Sequence, residues 1–321
     1  MPLRLVHPQG GGAEVVNTES SLVEISEIAF VSAGTVCRGR LFAPRGGEGR
    51  ATLVMAHGLG GTLGAGLVGF AERLSQAGIR VVAFDYRFFG QSNGKPRQLV
   101  SIQDQLTDWQ AALTFAQRLD PKAPLVLWGT SLSSGHVLTL ASELRNIAAV
   151  IAQNPMVDGR ASILAQCRSV GLSQTLSVAK AGLEDLARGW FGRDPLVIPI
   201  AGEPGRLAAL TTPGALSELQ SIAPEHFVNA ISPRVLLSLG FYRPVRRVSR
   251  IRCPVLLQLC LHDAVTPVEA GYRAAARIGA LATVKTYDVG HLDIYRGPAF
   301  QDVVMDQLNF LGAHLPGSCA Q

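Results

Sequence analysis

The chain has 321 residues, of which 47% are hydrophobic and 17% charged, with a formal net charge of +5. That length can bury a large core, and the apolar fraction excludes a disordered chain. The basic balance raises the question of nucleic acid, but aromatics are only 6% and no nucleic-acid motif occurs, so that partner is set aside.

No apolar run reaches the ~18 residues a membrane span requires. Met1–His7 lacks the apolar core and small-residue cleavage site of a leader peptide, so the expectation is a soluble, cytoplasmic protein. Five cysteines, at 37, 167, 253, 260 and 319, form no CxxC pair. They read as reduced thiols without a metal signature, Cys260 as a small buried hydrophobe.

In chain order, Leu22 to Phe30 and Thr35 to Phe42 are β-rich runs spaced as a hairpin. Residues 52–56 give a strand, Phe70 to Ala77 a helix closed by Gly78, and Ile79 to Tyr86 the next strand. Ile102, Leu106, Trp109, Leu113 and Ala116 recur at helical spacing, which predicts a helix with one face on a sheet. Strands follow at 124–128 and 147–152. After a long interruption come a strand at 254–261, a helix from Pro267 to Ile278, and a strand at 283–289. A terminal helix carries Phe300, Val303, Val304, Leu308 and Leu311 as one stripe. Strand–helix alternation of this kind implies a mostly parallel central sheet flanked by helices.

Gly129-Thr130-Ser131-Leu132-Ser133 follows the apolar run Pro124–Trp128 and opens a helix-like stretch. That is the setting of a nucleophile elbow, a tight strand-to-helix turn that lifts a serine hydroxyl clear of the sheet. The usual second glycine is Ser133 here. Asp263 follows the apolar run Val255–Leu261, and His291 follows Thr283–Val289 and one glycine, so both fall where strands end. The order Ser, Asp, His is that of the α/β-hydrolase triad. Ser131 needs an imidazole to remove its proton, and His291 needs Asp263 to fix its tautomer. Ser133 and Ser134 are rival nucleophiles placed inside the helix; Asp288 and Asp293 are rival acids flanking His291. Met55-Ala56-His57-Gly58-Leu59-Gly60-Gly61 follows a strand, and its glycine-rich turn can aim the Leu59 N–H at a carbonyl oxygen held against Ser131. The Leu132 N–H would be the second oxyanion donor. His57 reads as loop-shaping, His136 and His262 as packing or helix residues, and Asp85 with Arg87 as a structural ion pair.

With His-Gly-Leu-Gly-Gly, Asp85-Tyr86-Arg87-Phe88-Phe89-Gly90, Gly-Thr-Ser-Leu-Ser, Leu261-His262-Asp263 and Gly290-His291 in place, the chain resembles an α/β-hydrolase from end to end. It is most similar to capped esterase-like hydrolases related to the dienelactone hydrolase and peptidase S15 branches, which carry a segment like Gly290–Tyr295. The resemblance implies hydrolysis of an ester, thioester or amide.

Residues 1–153 and 251–321 form the expected hydrolase core. Between them, 154–250 breaks the alternation and is rich in Leu, Ala, Gly and Pro, with a helix-like piece at Leu176–Gly189. An insertion there reads as a mainly helical cap over the site. It holds 11 Lys/Arg against 7 Asp/Glu, a charge suited to a carboxylate-bearing substrate or a carrier thioester. Gly60, Trp190 and Tyr242 are the expected pocket residues. The reading is a serine carboxylesterase acting on a small-molecule acyl substrate, ester or thioester, with no metal or cofactor. A homodimer stays open as its assembly. Its alternatives are a thioesterase or acyltransferase using the same acyl-enzyme, and a non-catalytic ligand-binding protein on the same fold.

Overall fold

Uninterrupted apolar runs can sit only where both faces of a strand are covered, and the burial of this chain follows that rule. The structure, a computed structural model, describes residues 22–46 and 49–315. The N-terminal segment Met1–His7 and Cys319 lie outside the described residues. Strands β3 (Thr52–Ala56), β5 (Leu125–Thr130) and β7 (Val255–Cys260) are buried at every position. With β4 (Arg80–Phe84) and β6 (Ile147–Gln153) they fill the middle of an eight-stranded sheet. Half-exposed β1 (Val23–Ser32) and β8 (Ala282–Tyr287) form its two edges.

The strand order is β1-β2-β4-β3-β5-β6-β7-β8, where β2 is Thr35–Pro44. β2 runs antiparallel to both neighbours, and β3 to β8 are all parallel. The β1–β2 hairpin closes through Ala33 (φ 44°) and Gly34 (φ 81°), the paired left-handed residues that suit a two-residue turn between twisted strands. Helices α1 (Leu67–Gln76) and α9 (Gly297–His314) cover one face, with Phe70, Leu74, Val304 and Leu311 against Val126 and Trp128. Helices α2 (Ile102–Leu119), α3 (Leu132–Glu143) and α8 (Val268–Ile278) cover the other, where Trp109, Val137 and Ala274 meet Leu125 and Leu127. The expected elements are all present with shifted ends; α1, for instance, starts at Leu67 rather than Phe70. The described cysteines at 37, 167, 253 and 260 are free thiols.

Between β6 and β7 the chain adds α4 (Gly159–Val170), α5 (Leu172–Trp190), α6 (Ala215–Ile222) and α7 (Arg234–Leu239). Its only strand-like pairings are isolated bridges at Ile198–Ile231 and Ala201–Leu210, neither joined to the sheet. Among the described residues no helix is long and apolar enough to cross a membrane. All parallel strands therefore deliver their following loops to one edge, where the sequence places its polar candidates.

Candidate active site

β5 ends at Thr130 and α3 begins at Leu132, which leaves Ser131 alone to turn the chain. Its backbone adopts φ 53°, ψ −120°, a conformation costly for a residue with a Cβ. Surrounding bonds hold it there: Ser131 N donates to Gln153 O (3.0 Å), and Ser131 O accepts from Ser134 N and Met156 N (both 3.1 Å). Close approach explains the small neighbours. A Cβ on Gly129 would lie 2.4 Å from Ser133 O, and one on Gly58 would lie 2.9 Å from the Ser131 Cβ. Ser133 fits in place of a glycine because its hydroxyl points into the core, 2.8 Å from the Tyr86 hydroxyl, which accepts from Trp109 Nε1 (2.7 Å). The Ser134 hydroxyl is likewise turned inward, 2.7 Å from both Gly129 O and Gln153 O.

His291 and Asp263 arrive on the loops after β8 and β7. His291 Nε2 lies 3.0 Å from Ser131 Oγ, and His291 Nδ1 lies 2.6 Å from Asp263 Oδ2. An ionised carboxylate can only accept, so Nδ1 carries the proton and Nε2 is free to take one from the serine. Asp263 also accepts from Val265 N (2.8 Å), Thr266 N (2.7 Å) and the Thr266 hydroxyl (2.6 Å). Burial alone would raise its pKa, but the facing His291 and the Thr266 donors outweigh burial and hold the carboxyl below its usual range. The rival acids are engaged elsewhere: Asp288 with His262 at the surface, Asp293 with Gly290 N and Arg296.

Opposite the histidine, the turn after β3 is braced by buried His57. Its Nδ1 donates to Gly58 O (3.0 Å) and its Nε2 accepts from Tyr86 N (3.4 Å). Burial depresses its pKa, so the ring is neutral and shapes the loop. Among the described residues, neither the Leu59 nor the Leu132 N–H has a protein acceptor, and both residues line the cavity with Ser131. Asn154 is a residue the sequence reading missed. Its Nδ2 donates to His291 O (2.8 Å), and its Oδ1 accepts from the Thr130 hydroxyl (2.8 Å) and from Ser131 N (3.3 Å). The Tyr295 hydroxyl closes the same cluster on Thr130. One asparagine thus ties the Ser131 turn to the His291 loop; its place just after β6 is the only signal the sequence offered.

Beneath these loops lies a fully buried amide chain. Gln307 of α9 accepts from Trp128 Nε1 (3.1 Å) and donates to Gln153 Oε1 (3.2 Å) and Gln258 Oε1 (2.8 Å).

The cavity over Ser131 holds about 110 Å³. The helical segment supplies Ser162, Ile200, Leu210, Leu219 and Leu239 to its wall. The three expected pocket residues do not reach it. Trp190 ends α5 on the outer side and is 79% exposed. The Tyr242 hydroxyl is fixed between His136 Nδ1 (2.7 Å) and Thr139 Oγ1 (3.2 Å). Gly60 turns away against Ile200 and Ile231 and lines a separate space. The Asp85–Arg87 pair is also corrected. Arg87 is held by Asp108 (2.7 and 2.8 Å), whereas Asp85 accepts from the N–H groups of Leu63 (2.6 Å) and Gln91 (2.9 Å). Nor do the arginines of 154–250 face the cavity: Arg234 pairs with Asp185 (2.7 Å) and Arg243 with Asp158 (2.8 Å).

Comparison with known proteins agrees with this architecture. Residues 47–211, just over half the chain, match the family described as serine aminopeptidase, S33. The quorum-quenching protein AidA of Acinetobacter baumannii is 38% identical over 294 residues, covering 90% of this chain and 95% of that protein. The thiohydrolase aneE of Aspergillus aculeatus is 26% identical over 313 residues, covering 92% and 95% respectively. Among solved structures, the α/β hydrolase GrgF from Penicillium superposes with a TM-score of 0.74 at 22% identity, covering 92% of this chain and all of that one. The eight-stranded sheet, the strand-end loops and the S33 match together make the chain a member of the serine aminopeptidase S33 family of α/β hydrolases.

Proposed function

We propose that the chain is a capped serine hydrolase that cleaves a carboxylic ester through an acyl-enzyme. The observation that carries the reading is the continuous Ser131–His291–Asp263 hydrogen-bonded line beside two unpartnered N–H groups. Ser131 Oγ attacks the substrate carbonyl as its proton passes to His291 Nε2, and Asp263 stabilises the resulting imidazolium. The oxyanion takes up the Leu59 and Leu132 N–H groups. When the tetrahedral intermediate collapses, His291 returns the proton to the departing oxygen and the acyl group stays on Ser131. Water then repeats the sequence, delivering its proton to His291 and releasing the acid. Residues 154–250 serve as the cap: their helices wall the cavity and limit water at the acyl-enzyme.

A thioester substrate, or acyl transfer to another nucleophile, uses the same groups. This second reading is favoured by relatives named a thiohydrolase and a polyketide transferase. Hydrolysis of p-nitrophenyl esters and of S-acyl thioesters by wild type and Ser131→Ala, with intact-mass detection of a fluorophosphonate adduct, tests both. Ester turnover and labelling that vanish together in the variant establish the esterase. A Ser131 adduct with thioester turnover alone establishes the thioesterase. A folded protein without adduct or turnover overturns the enzymatic reading in favour of a binding protein.

A further inference from the structure

The small cavity over Ser131 adjoins two further spaces of opposite character. One, of about 300 Å³, is lined by α4, α5, α7 and residues 208–210. Leu59, Ser162, Leu210, Leu239 and Val265 line both it and the Ser131 cavity. The rest of its wall is chiefly apolar, including Ile163, Val178, Ala209 and Leu236, and among the described residues no charged side chain lines it. Three of its four polar wall residues already bond inside the protein: Gln166 to Ala209 O, Gln174 to Arg206 O and Thr175 to Gly171 O. The other space, of about 230 Å³, runs past His291 and is bordered by Thr212, Glu218, His262 and Gly290.

We propose that the apolar chamber is the subsite for the acyl chain, and that the substrate is an ester or thioester of an aliphatic acid too long for the first cavity. This rests on the acyl-enzyme reading. The carbonyl sits at Ser131, the chain passes between Leu59 and Leu239 into the chamber, and the polar leaving group exits past His291. A free carboxylate at the far end of the chain is disfavoured: an ion in the chamber would lose its hydration and meet no cation. The net positive charge of the segment is therefore not a guide to the acyl group, because none of its arginines lines the chamber and Arg234 and Arg243 pair with Asp185 and Asp158 instead.

A p-nitrophenyl ester series from acetyl to dodecanoyl tests the assignment. Each methylene received by the chamber should raise kcat/KM by about fourfold until the space is full. Ala209→Phe, which projects a ring into the chamber at a distance from Ser131, should shift the optimum to shorter chains and cut the dodecanoyl-to-acetyl ratio more than tenfold. Labelling by a small fluorophosphonate verifies that the variant is folded, and Val178→Trp repeats the test from the α5 wall. Calorimetric binding of 2-tridecanone against butanone reads the chamber without chemistry: the longer ketone should bind far more tightly to wild type and lose that advantage in the variants. A flat chain-length profile with Ser131 labelled, or ketone affinity indifferent to both substitutions, overturns the chamber. Loss of turnover and labelling overturns the acyl-enzyme reading, and ketone binding still decides the chamber.

Discussion

Two regions face each other across the cavity and are held by opposite means. On the strand-end side, position is set by directional bonds. Asp263 accepts from four donors, Asn154 links two loops, and Ser131 is pinned in a strained conformation by its own backbone. On the helical side, the walls are Ile200, Leu210 and Leu239, and charged residues pair where they brace helices. Hydrogen bonds fail over fractions of an ångström, whereas apolar contacts tolerate substitution when volume is kept. On the proposed function, reaction and selection therefore fall to parts of the chain with different tolerance to change.

The sharpest way to break that contrast is at the nucleophile. Ser131→Ala or His291→Ala should each reduce turnover by about 10⁵- to 10⁶-fold, with the double variant no worse, because the members act as a unit. Asp263→Asn should cost about 10⁴-fold. Steady-state kinetics on one activated ester measures all of these. If the double variant multiplied the single effects, Ser131 and His291 would not share one step. Gly58→Ala comes next. Its methyl would press on the Ser131 Cβ, and displacement of this size costs about 100-fold in kcat; normal kcat would mean that the loop yields as readily as the helical wall.

Gln307→Leu probes the support beneath the strand ends. It orphans the Trp128 N–H and removes partners from Gln153 and Gln258, so urea unfolding should show a loss of about 3 kcal/mol. A loss below 1 kcal/mol would show that these amides find other partners. The smallest effect concerns pH. Burial lowers the pKa of His136 to about 3, so the unfolded chain binds a proton there that the folded one refuses. Stability must then fall as pH drops below about 6.5, by up to about 1.4 kcal/mol per unit. Chemical denaturation between pH 7 and 5 should reveal that slope, reduced in His136→Gln. An equal slope in the variant would assign it to other groups, His57 first.

The sequence made the strand-end side legible because its information is local. An apolar run followed by a polar residue marks a strand end, and Ser131, Asp263 and the His57–Gly61 turn each carry that mark, while His291 follows the mixed β-rich run Thr283–Val289. Asn154 carried it too, but no chemistry in the triad scheme called for an amide there. The helical side was opaque for a physical reason. Trp190 and Tyr242 looked like pocket residues by type, yet which face of a helix meets the cavity depends on crossing geometry that composition does not encode. Trp190 faces solvent, whereas Ser162 and Ala209, unremarked in the sequence, stand at the wall. Charge misled in the same way: Asp85 and Arg87 are neighbours in sequence but choose different partners in space.

The spread of the site along the chain has a consequence for how the protein comes into being. Ser131 and His291 are 160 residues apart, and α9, whose Gln307 locks β6 to β7, is the final described helix. During synthesis Ser131, Leu59, Leu132 and the whole helical segment emerge well before His291. The Ser131–His291 contact cannot form until the second half of the chain has been made, so on the acyl-enzyme reading a nascent chain is chemically silent until then. Gln307 follows His291 in the chain, so the brace between β6 and β7 is among the last of these contacts to close.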